Sequence, residues 1–221
     1  MTKLLIATNN KGKIQELQAL LSDLKLELVT PVQIGIDLDI IEDGATYAEN
    51  ATKKALAFAQ ASGLISLADD SGLEVDALDG APGLYSARYG AFPQNPKDLG
   101  GDGGGQKKTS DGEKRKYLIA KLKDKPRPWT ARFHATIAIA NPGNVKLNPV
   151  ATESLQITEG ACEGEIIPED RGANGFGYDP IFLFPTLGRT MAELSMDEKN
   201  RLSHRARAVM DAKGILSELF G

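Results

Sequence analysis

Two adjacent aspartates, Asp69 and Asp70, stand between the apolar run of residues 64–67 and the dipeptide Ser71-Gly72. Side chains alternate in direction along an extended chain, so one carboxylate would face a ligand while the other braces the backbone. A carboxylate at a strand end can hold a divalent cation or accept a proton from water. The same residues are typical of an Asx-turn, in which the aspartate caps its own backbone. The pattern therefore predicts an acidic reaction site or a turn at the end of a strand, and leaves both open.

A second polar cluster lies near the start of the chain, between a predicted strand over residues 3–8 and a predicted helix. Its members are Thr8, Asn9, Asn10, Lys11, Gly12 and Lys13. Free backbone N–H groups and the positive end of a helix dipole, together with two lysines, favour phosphate binding. Asparagine and lysine also begin many helices simply as caps and solubilising residues. The segment is a candidate phosphate site with that plain alternative.

Acidic residues upstream of the aspartate pair could join it in a metal site. Glu42 lies in a mixed apolar and acidic segment, and Glu49 and Asn50 follow it. Such oxygen ligands are the ones that Mg²⁺ prefers, with water and substrate phosphates completing its coordination. However, Glu49 also lies three residues after Thr46, the spacing of a capping box at the start of a helix predicted over residues 47–62. Glu49 is therefore assigned equally to a helix cap and to the site.

Two later segments could bind a planar base. Residues 175–180 form a glycine-rich loop with two aromatic rings, and Asp179 within it can accept hydrogen bonds from ring N–H groups. His204 and Arg205, at the start of the last predicted helix, can donate to ring carbonyl oxygens. A β-turn and a serine cap are the structural alternatives. Occurring together with a phosphate segment and an acidic site, the two segments favour a nucleotide pocket.

Hydrophobic periodicity predicts the elements that must position these residues. Strand, helix and strand follow one another at the start of the chain, which is typical of an α/β protein. Further strands are predicted over residues 132–140, 150–158, 161–166 and 181–184, with a turn at Glu159-Gly160, and further helices over residues 114–123 and from about residue 203. Residues 93–113 are predicted to be a flexible insertion. The glycine-rich run at 100–105 in it lacks the Lys-Ser or Lys-Thr of a P-loop.

Composition excludes several classes of protein. The chain has 221 residues, 41% of them hydrophobic and 25% charged, as in an ordinary soluble domain. A net charge of −4 disfavours broad binding to nucleic acid, and the single cysteine, Cys162, excludes an intrachain disulfide. No apolar run approaches the roughly 20 residues that span a bilayer, and the short first run is too small for a signal peptide. We therefore expect a cytoplasmic protein with no membrane and no nucleic-acid partner.

Six segments, in their order along the chain, resemble segments of the noncanonical purine nucleoside triphosphate pyrophosphatases. This family acts on inosine and xanthosine triphosphates. The matching segments are residues 8–13, 47–51, 68–73, 80–89, 176–180 and 203–205. The resemblance implies an elongated mixed β-sheet flanked by helices, in two lobes with a central active-site cleft. It also implies one domain over residues 1–221 and a homodimer. The insertion at 93–113 departs from the family pattern.

The resemblance also implies a role for each matched residue. Asp70 would be the catalytic proton acceptor and, with Glu42, would bind one Mg²⁺ per subunit. Thr8, Asn9, Asn10, Lys11, Gly12 and Lys13 would hold the triphosphate, with Ser71 and Lys199 as further substrate contacts. The base would be bound by Phe176, Gly177, Tyr178, Asp179, His204 and Arg205.

The implied reaction is hydrolysis between the α- and β-phosphates of dITP, ITP or XTP, which yields a nucleoside monophosphate and pyrophosphate. Such an enzyme removes these nucleotides from the nucleotide pool. Two alternatives stay open at this point. One is a Mg²⁺-dependent phosphatase acting on other nucleotides, which would release orthophosphate, and the other is a nucleotide-binding module without turnover.

Overall fold

The computed structural model describes residues 2–90, 109–145 and 155–221. Helices and strands alternate along these residues as far as the fifth strand, and two further strands and two helices follow. The strands are β1 (Thr2–Ile6), β2 (Leu26–Val29), β3 (Ile65–Val75), β4 (Trp129–Ala140), β5 (Leu155–Ile166), β6 (Phe182–Phe184) and β7 (Arg189–Thr190). The helices are α1 (Lys11–Leu20), α2 (Tyr47–Ser62), α3 (Asp111–Leu122), α4 (Pro142–Val145), α5 (Met196–Leu202) and α6 (His204–Phe220).

The strands form one mixed sheet in the order β2-β1-β3-β4-β5-β6-β7 within the described ranges. Strand β1 pairs in parallel with β2 and β3, whereas β6 pairs antiparallel with β5 and β7. The predicted α/β class with a mixed sheet flanked by helices is confirmed. Two lobes around a central cleft stay a prediction.

The chain divides into two compact units. The first comprises Met1–Ser71, Phe133–Cys162 and Met196–Gly221, and the second comprises Gly72–Arg132 and Glu163–Ser195. Every acidic residue predicted to bind a metal ion or accept a proton belongs to the first unit.

Helices cover both faces of the strands in the first unit. Leu4 and Ile6 of β1 belong to a buried cluster to which α1 and α6 contribute. Leu5 and Ala7 belong to the opposite cluster, to which α2 contributes. Burial on both faces explains why β1 is an unbroken apolar run rather than an alternating one.

Helix α2 begins and ends where the sequence predicts. The Thr46 side chain accepts a hydrogen bond from the backbone N–H of Glu49, and Gly63 ends the helix in the left-handed conformation with φ of 70°. The Glu49 carboxylate accepts from the N–H of Ala45, at 2.8 Å, rather than from the cap residue itself. Helix capping therefore accounts for Glu49.

Strand β3 continues through the aspartate pair, so the expected turn after it is wrong. The segment Asp69 to Gly72 lies inside the strand, and Leu73 and Val75 beyond it are fully buried. The buried side chains of these two residues keep the chain extended, so Gly72 does not end the strand. The Asx-turn alternative is excluded with it.

The predicted turn at Glu159-Gly160 is also wrong, because β5 is one continuous strand there. A Cβ atom on Gly160 would lie 2.3 Å from the carbonyl oxygen of His204 and 2.5 Å from the nitrogen of Ala208. The glycine is needed where the backbone of α6 approaches the strand closely, not where the chain reverses. Residues 150–154 of the predicted strand lie outside the described residues.

Helix α3 begins at Asp111, earlier than predicted, because Ser110 and Glu113 form a capping box. The predicted loop is therefore wrong for residues 111–113, and the rest of the insertion lies largely outside the described residues. No helix in the described part of the chain is long and apolar enough to cross a membrane.

Candidate active site

The carboxylate of Asp69 is the centre of a buried set of ion pairs. It is 1% exposed and lies 2.5 Å from Nζ of Lys13 and 2.9 Å from Nε of Arg205. Burial alone would raise the pKa of Asp69, but the charges of Arg205 and Lys13 outweigh it and hold the pKa far below its usual range. Asp69 is consequently a permanent anion that positions two cations.

The carboxylate of Asp70 has different partners, as the alternation of a strand requires. Its Oδ1 lies 3.2 Å from Nζ of Lys54, and its Oδ2 accepts from Nδ2 of Asn50 at 3.2 Å. Burial raises the pKa of Asp70, with the charges of Lys54 and Lys13 opposing it. A carboxylate with a raised pKa is a better proton acceptor at neutral pH than an ordinary one.

Lys54 of α2 is a residue of this site that the sequence analysis missed. Its ammonium lies 2.7 Å from Oε1 of Glu42 and donates to the backbone carbonyl of Asp69 at 2.9 Å, in addition to its contact with Asp70. Burial would lower the pKa of Lys54, but Asp70 and Glu42 outweigh it and raise the pKa. The signal was available, because Lys54 follows Asn50 by four residues on one helix face.

The two carboxylates predicted to bind Mg²⁺ are thus brought together. Glu42 and Asp70 contact the same ammonium group, so their oxygens surround a single position that holds one positive charge. Carboxylate and carbonyl oxygens are suitable ligands for a hard cation. No cluster of three or more potential metal-binding side chains occurs in the described ranges. A cation here would therefore take most of its ligands from water and substrate.

The segment from Thr8 to Lys13 combines a helix cap with a buried cation. Asn10 caps α1 by accepting from the N–H groups of Gly12 and Lys13, and Oγ1 of Thr8 accepts from the N–H of Asn10. Asn10 therefore caps the helix, which was the structural alternative to phosphate binding. Burial lowers the pKa of Lys13, although Asp69 opposes the shift. Asn9, Asn10 and Lys11 are exposed, which leaves the helix start open to a ligand.

Arg205 joins Asp69 to a second buried carboxylate that the sequence analysis missed. Its guanidinium pairs with Glu16 and donates to Oγ of Ser71 at 3.0 Å. Glu16 also contacts Nζ of Lys199, at 2.6 Å. Burial would raise the pKa of Glu16, but Arg205 and Lys199 lower it. The spacing of Lys13 and Glu16, three residues apart on α1, was the available signal.

These ion pairs explain where three of the predicted substrate contacts point. Arg205 and Lys199 face the buried carboxylates, because a buried cation must be paired to be stable, and Oγ of Ser71 donates to Oδ1 of Asp69 at 3.0 Å. Their contact with a substrate stays a prediction.

His204 is buried and packed between an aromatic ring and a thiol. Its ring stacks on Phe133 with centroids 4.7 Å apart, and Nδ1 lies 4.0 Å from Sγ of Cys162. Burial, reinforced by the charge of Arg205, lowers the pKa of His204 well below its usual value. The imidazole is therefore neutral at pH 7 and carries one N–H donor.

The aromatic loop belongs to the second unit and has the geometry of a turn. The N–H of Phe176 donates to Oδ2 of Asp179 at 2.9 Å, and that of Gly177 donates to Asp111. Tyr178 is buried and donates its hydroxyl hydrogen to the carbonyl of Ser86 at 3.0 Å. Phe176 and Gly177 are half-buried, whereas Tyr178 and Asp179 are buried. Stacking on a base stays a prediction, centred on Phe176.

Together these observations define an α/β protein with a mixed sheet and a buried site of carboxylates and ammonium groups. The model of the Ham1 family matches residues 4–214, and the chain belongs to that family. It is 43% identical over 219 residues to a dITP/XTP pyrophosphatase of Desulforamulus reducens, covering 99% of this chain and 97% of that protein. It is 44% identical over 211 residues to a dITP/XTP pyrophosphatase of Gloeobacter violaceus, covering 95% and 91%.

Solved structures give the same result. A HAM1 protein from Coxiella burnetii superposes with a TM-score of 0.79 at 37% identity, covering 99% of this chain and 100% of that one. The Ham1 protein of Staphylococcus aureus gives a TM-score of 0.77 at 34% identity, covering 98% and 99%.

Proposed function

We propose that this protein hydrolyses noncanonical purine nucleoside triphosphates, namely dITP, ITP and XTP, to nucleoside monophosphate and pyrophosphate. Such an activity removes them from the nucleotide pool. The observation that carries the proposal is the convergence of Glu42, Lys54 and Asp70 at one buried position. Relatives that are 43% and 44% identical over nearly the whole chain bear the name dITP/XTP pyrophosphatase.

Asp70 acts as the proton acceptor for water. The water oxygen bonds to one phosphorus of the anhydride between the α- and β-phosphates, and the bond from phosphorus to the bridging oxygen breaks. The water proton passes to a carboxylate oxygen of Asp70, and the two halves of the anhydride are released as nucleoside monophosphate and pyrophosphate. Nδ2 of Asn50 donates to Oδ2 of Asp70 and so fixes the orientation of that carboxylate. Oδ1 of Asn50 in turn accepts from the backbone N–H of Gly44 at 2.8 Å.

The triphosphate binds at the start of α1. The exposed residues at the helix start and the positive end of the helix dipole favour anions, and Lys13 adds a full charge beside Asp69. Glu42 and Asp70 would hold one Mg²⁺, which would neutralise phosphate oxygens. Ser71 and Lys199 supply the remaining substrate contacts.

Base selectivity rests on donors that face the 6-position of the purine. The neutral imidazole of His204 and the guanidinium of Arg205 donate to the 6-oxygen of hypoxanthine or xanthine. Adenine carries an amino group at that position instead. A buried donor left facing another donor can discriminate by factors of about 10⁴. The family resemblance also assigns base binding to Phe176, Gly177, Tyr178 and Asp179.

We further propose that the protein is a cytoplasmic homodimer and that residues 1–221 act as one catalytic domain. The family resemblance supports the homodimer and the single domain.

One assay tests the proposed function. A panel of dITP, ITP, XTP, GTP and ATP is incubated with the protein and Mg²⁺, and pyrophosphate and orthophosphate are measured separately. Pyrophosphate from the first three, with little product from ATP, is the expected result. Orthophosphate would favour the phosphatase, and tight binding without product would favour a binding module.

A further inference from the structure

We propose that the Lys54 ammonium occupies the cation position between Glu42 and Asp70 in the metal-free protein and leaves it when a divalent cation binds. The inference rests on the proposed function, because it assigns those two carboxylates to the metal. It adds a role for a residue that no sequence motif identified.

The surroundings of Lys54 are those of a small cation. Three oxygens accept from its ammonium: Oε1 of Glu42 at 2.7 Å, the carbonyl of Asp69 at 2.9 Å and Oδ1 of Asp70 at 3.2 Å. An ammonium has three N–H donors, so these oxygens can satisfy it completely. Two carboxylates and a carbonyl are also ligands of the type that a hard divalent cation takes.

Charge balance favours a cation at this position. Asp70 is 8% exposed, and its carboxylate lies close to that of Glu42, because both accept hydrogen bonds from the same ammonium. Two neighbouring carboxylates with no cation between them would repel each other at low dielectric. Lys54 removes this repulsion in the metal-free protein. A divalent ion would make the ammonium a repelling charge instead.

The position of Lys54 on α2 allows such an exchange. The residue lies within a sixteen-residue helix whose backbone is fixed by packing, so the exchange needs only rotations of its long side chain. An ammonium displaced from the carboxylates keeps its charge in the pocket, where phosphate oxygens of a substrate can pair with it. Metal binding and phosphate binding would then be coupled through one side chain.

The chain offers two matched controls. Lys53, the preceding residue on α2, is exposed and pairs with exposed Asp43 at 2.5 Å. Lys13 is another poorly exposed ammonium of the same unit. It shares the carbonyl of Asp69 with Lys54, at 3.3 Å, but its carboxylate partner is Asp69 rather than Asp70. Removing Lys53 tests a nearby surface charge, whereas removing Lys13 tests a buried charge that does not occupy the cation position.

The first experiment measures binding of Mn²⁺ alone, without nucleotide, by isothermal titration calorimetry. If Lys54 vacates the position in about a tenth of molecules or fewer, Lys54→Met should bind Mn²⁺ at least about tenfold more tightly than wild type. Lys53→Met should match wild type, and Lys13→Met should shift the affinity much less than Lys54→Met. Unchanged or undetectable binding by Lys54→Met, or an equal gain in Lys13→Met, would overturn the proposal.

The second experiment uses the wild-type protein and therefore does not depend on a variant folding. Amine labelling followed by mass spectrometry is performed with and without saturating Mn²⁺. Labelling of Lys54 should rise severalfold with the metal, while labelling of Lys53 stays constant. Lys54 that stays protected while calorimetry records bound Mn²⁺ contradicts the exchange.

The pyrophosphate assay on the same preparation separates this inference from the proposed function. Pyrophosphate release with a protected Lys54 would refute the exchange and leave the function standing. Absence of pyrophosphate release from every triphosphate would refute the function itself.

Discussion

Arg205 of α6 and Glu16 of α1 form a buried ion pair although 189 residues separate them in the chain. Glu16 is 3% exposed and also pairs with Lys199, so one carboxylate compensates two buried cations. Removing it would leave both cations without that partner, which costs far more than losing a surface ion pair.

We therefore expect Glu16→Gln to lower the free energy of unfolding by about 3 kcal/mol or more. Denaturant unfolding monitored by circular dichroism measures the change. The control is Glu27→Gln, because Glu27 forms an exposed pair with Lys3 at 3.6 Å and its loss should cost less than about 1 kcal/mol. Equal losses in the two variants would contradict the assigned role of the buried network.

Asp70→Asn should retain nucleotide binding and lose turnover by about 100-fold or more, because the amide cannot accept the water proton. Steady-state kinetics with dITP and calorimetry with a non-hydrolysable analogue measure the two effects. Asp43→Asn, on the exposed partner of Lys53, is the control and should keep full turnover. A near-normal rate for Asp70→Asn would show that another group accepts the proton.

Lys13→Ala should raise KM, lower kcat, or both, because it removes a buried positive charge from the proposed triphosphate site. The variant also leaves Asp69 with one cation fewer, so its unfolding is measured in parallel with its kinetics. Lys13→Arg retains the charge and should recover part of the loss. If both kinetic constants of the folded alanine variant equal those of wild type, the phosphate assignment is wrong.

The buried neutral His204 should make stability fall as the pH drops below about 6.5, the pKa of an unfolded histidine. Its folded pKa is lowered, so the unfolded state takes up the proton first and is favoured by acid. Denaturant unfolding of wild type and His204→Gln at pH 7 and pH 5.5 measures the effect. The difference between the two proteins should shrink at the lower pH. A constant difference would mean that His204 does not titrate in this range.

Gly160→Ala should destabilise the protein by about 1–3 kcal/mol, because the new methyl group would overlap backbone atoms of α6. Gly214→Ala is the matched control on α6 itself, where a Cβ atom meets nothing within 4 Å. That substitution should stabilise the helix by up to about 1 kcal/mol. Melting temperatures that move in the same direction would contradict the close approach at Gly160.

Local sequence patterns predicted the ends of those helices that are capped by neighbouring residues. Thr46 and Gly63 mark the ends of α2, and Ser203 caps α6, because capping bonds connect residues only a few positions apart. Glycines misled the analysis in β3 and β5. A glycine in a strand can mark a turn or a close approach, and only the packing partner distinguishes the two.

Partners distant along the chain lay outside what the sequence could predict. The structure brings Glu42 and Asp70 together. Lys54 and Glu16, which complete the two sets of ion pairs, lie outside the six segments that match the family. Their positions on helices gave weak hints. Which carboxylate each cation meets depends on how α1, α2 and α6 pack on the strands.

The pairing of Arg205 with Asp69 also sets an order of events during synthesis. Lys13 and Asp69 are translated before the guanidinium that completes their network, which belongs to a residue 136 positions after Asp69. A nascent chain therefore carries the Asp69 carboxylate with only part of its charge compensation until residue 205 has been translated. A stop codon upstream of Arg205 would thus remove the last cation of the network as well as α6.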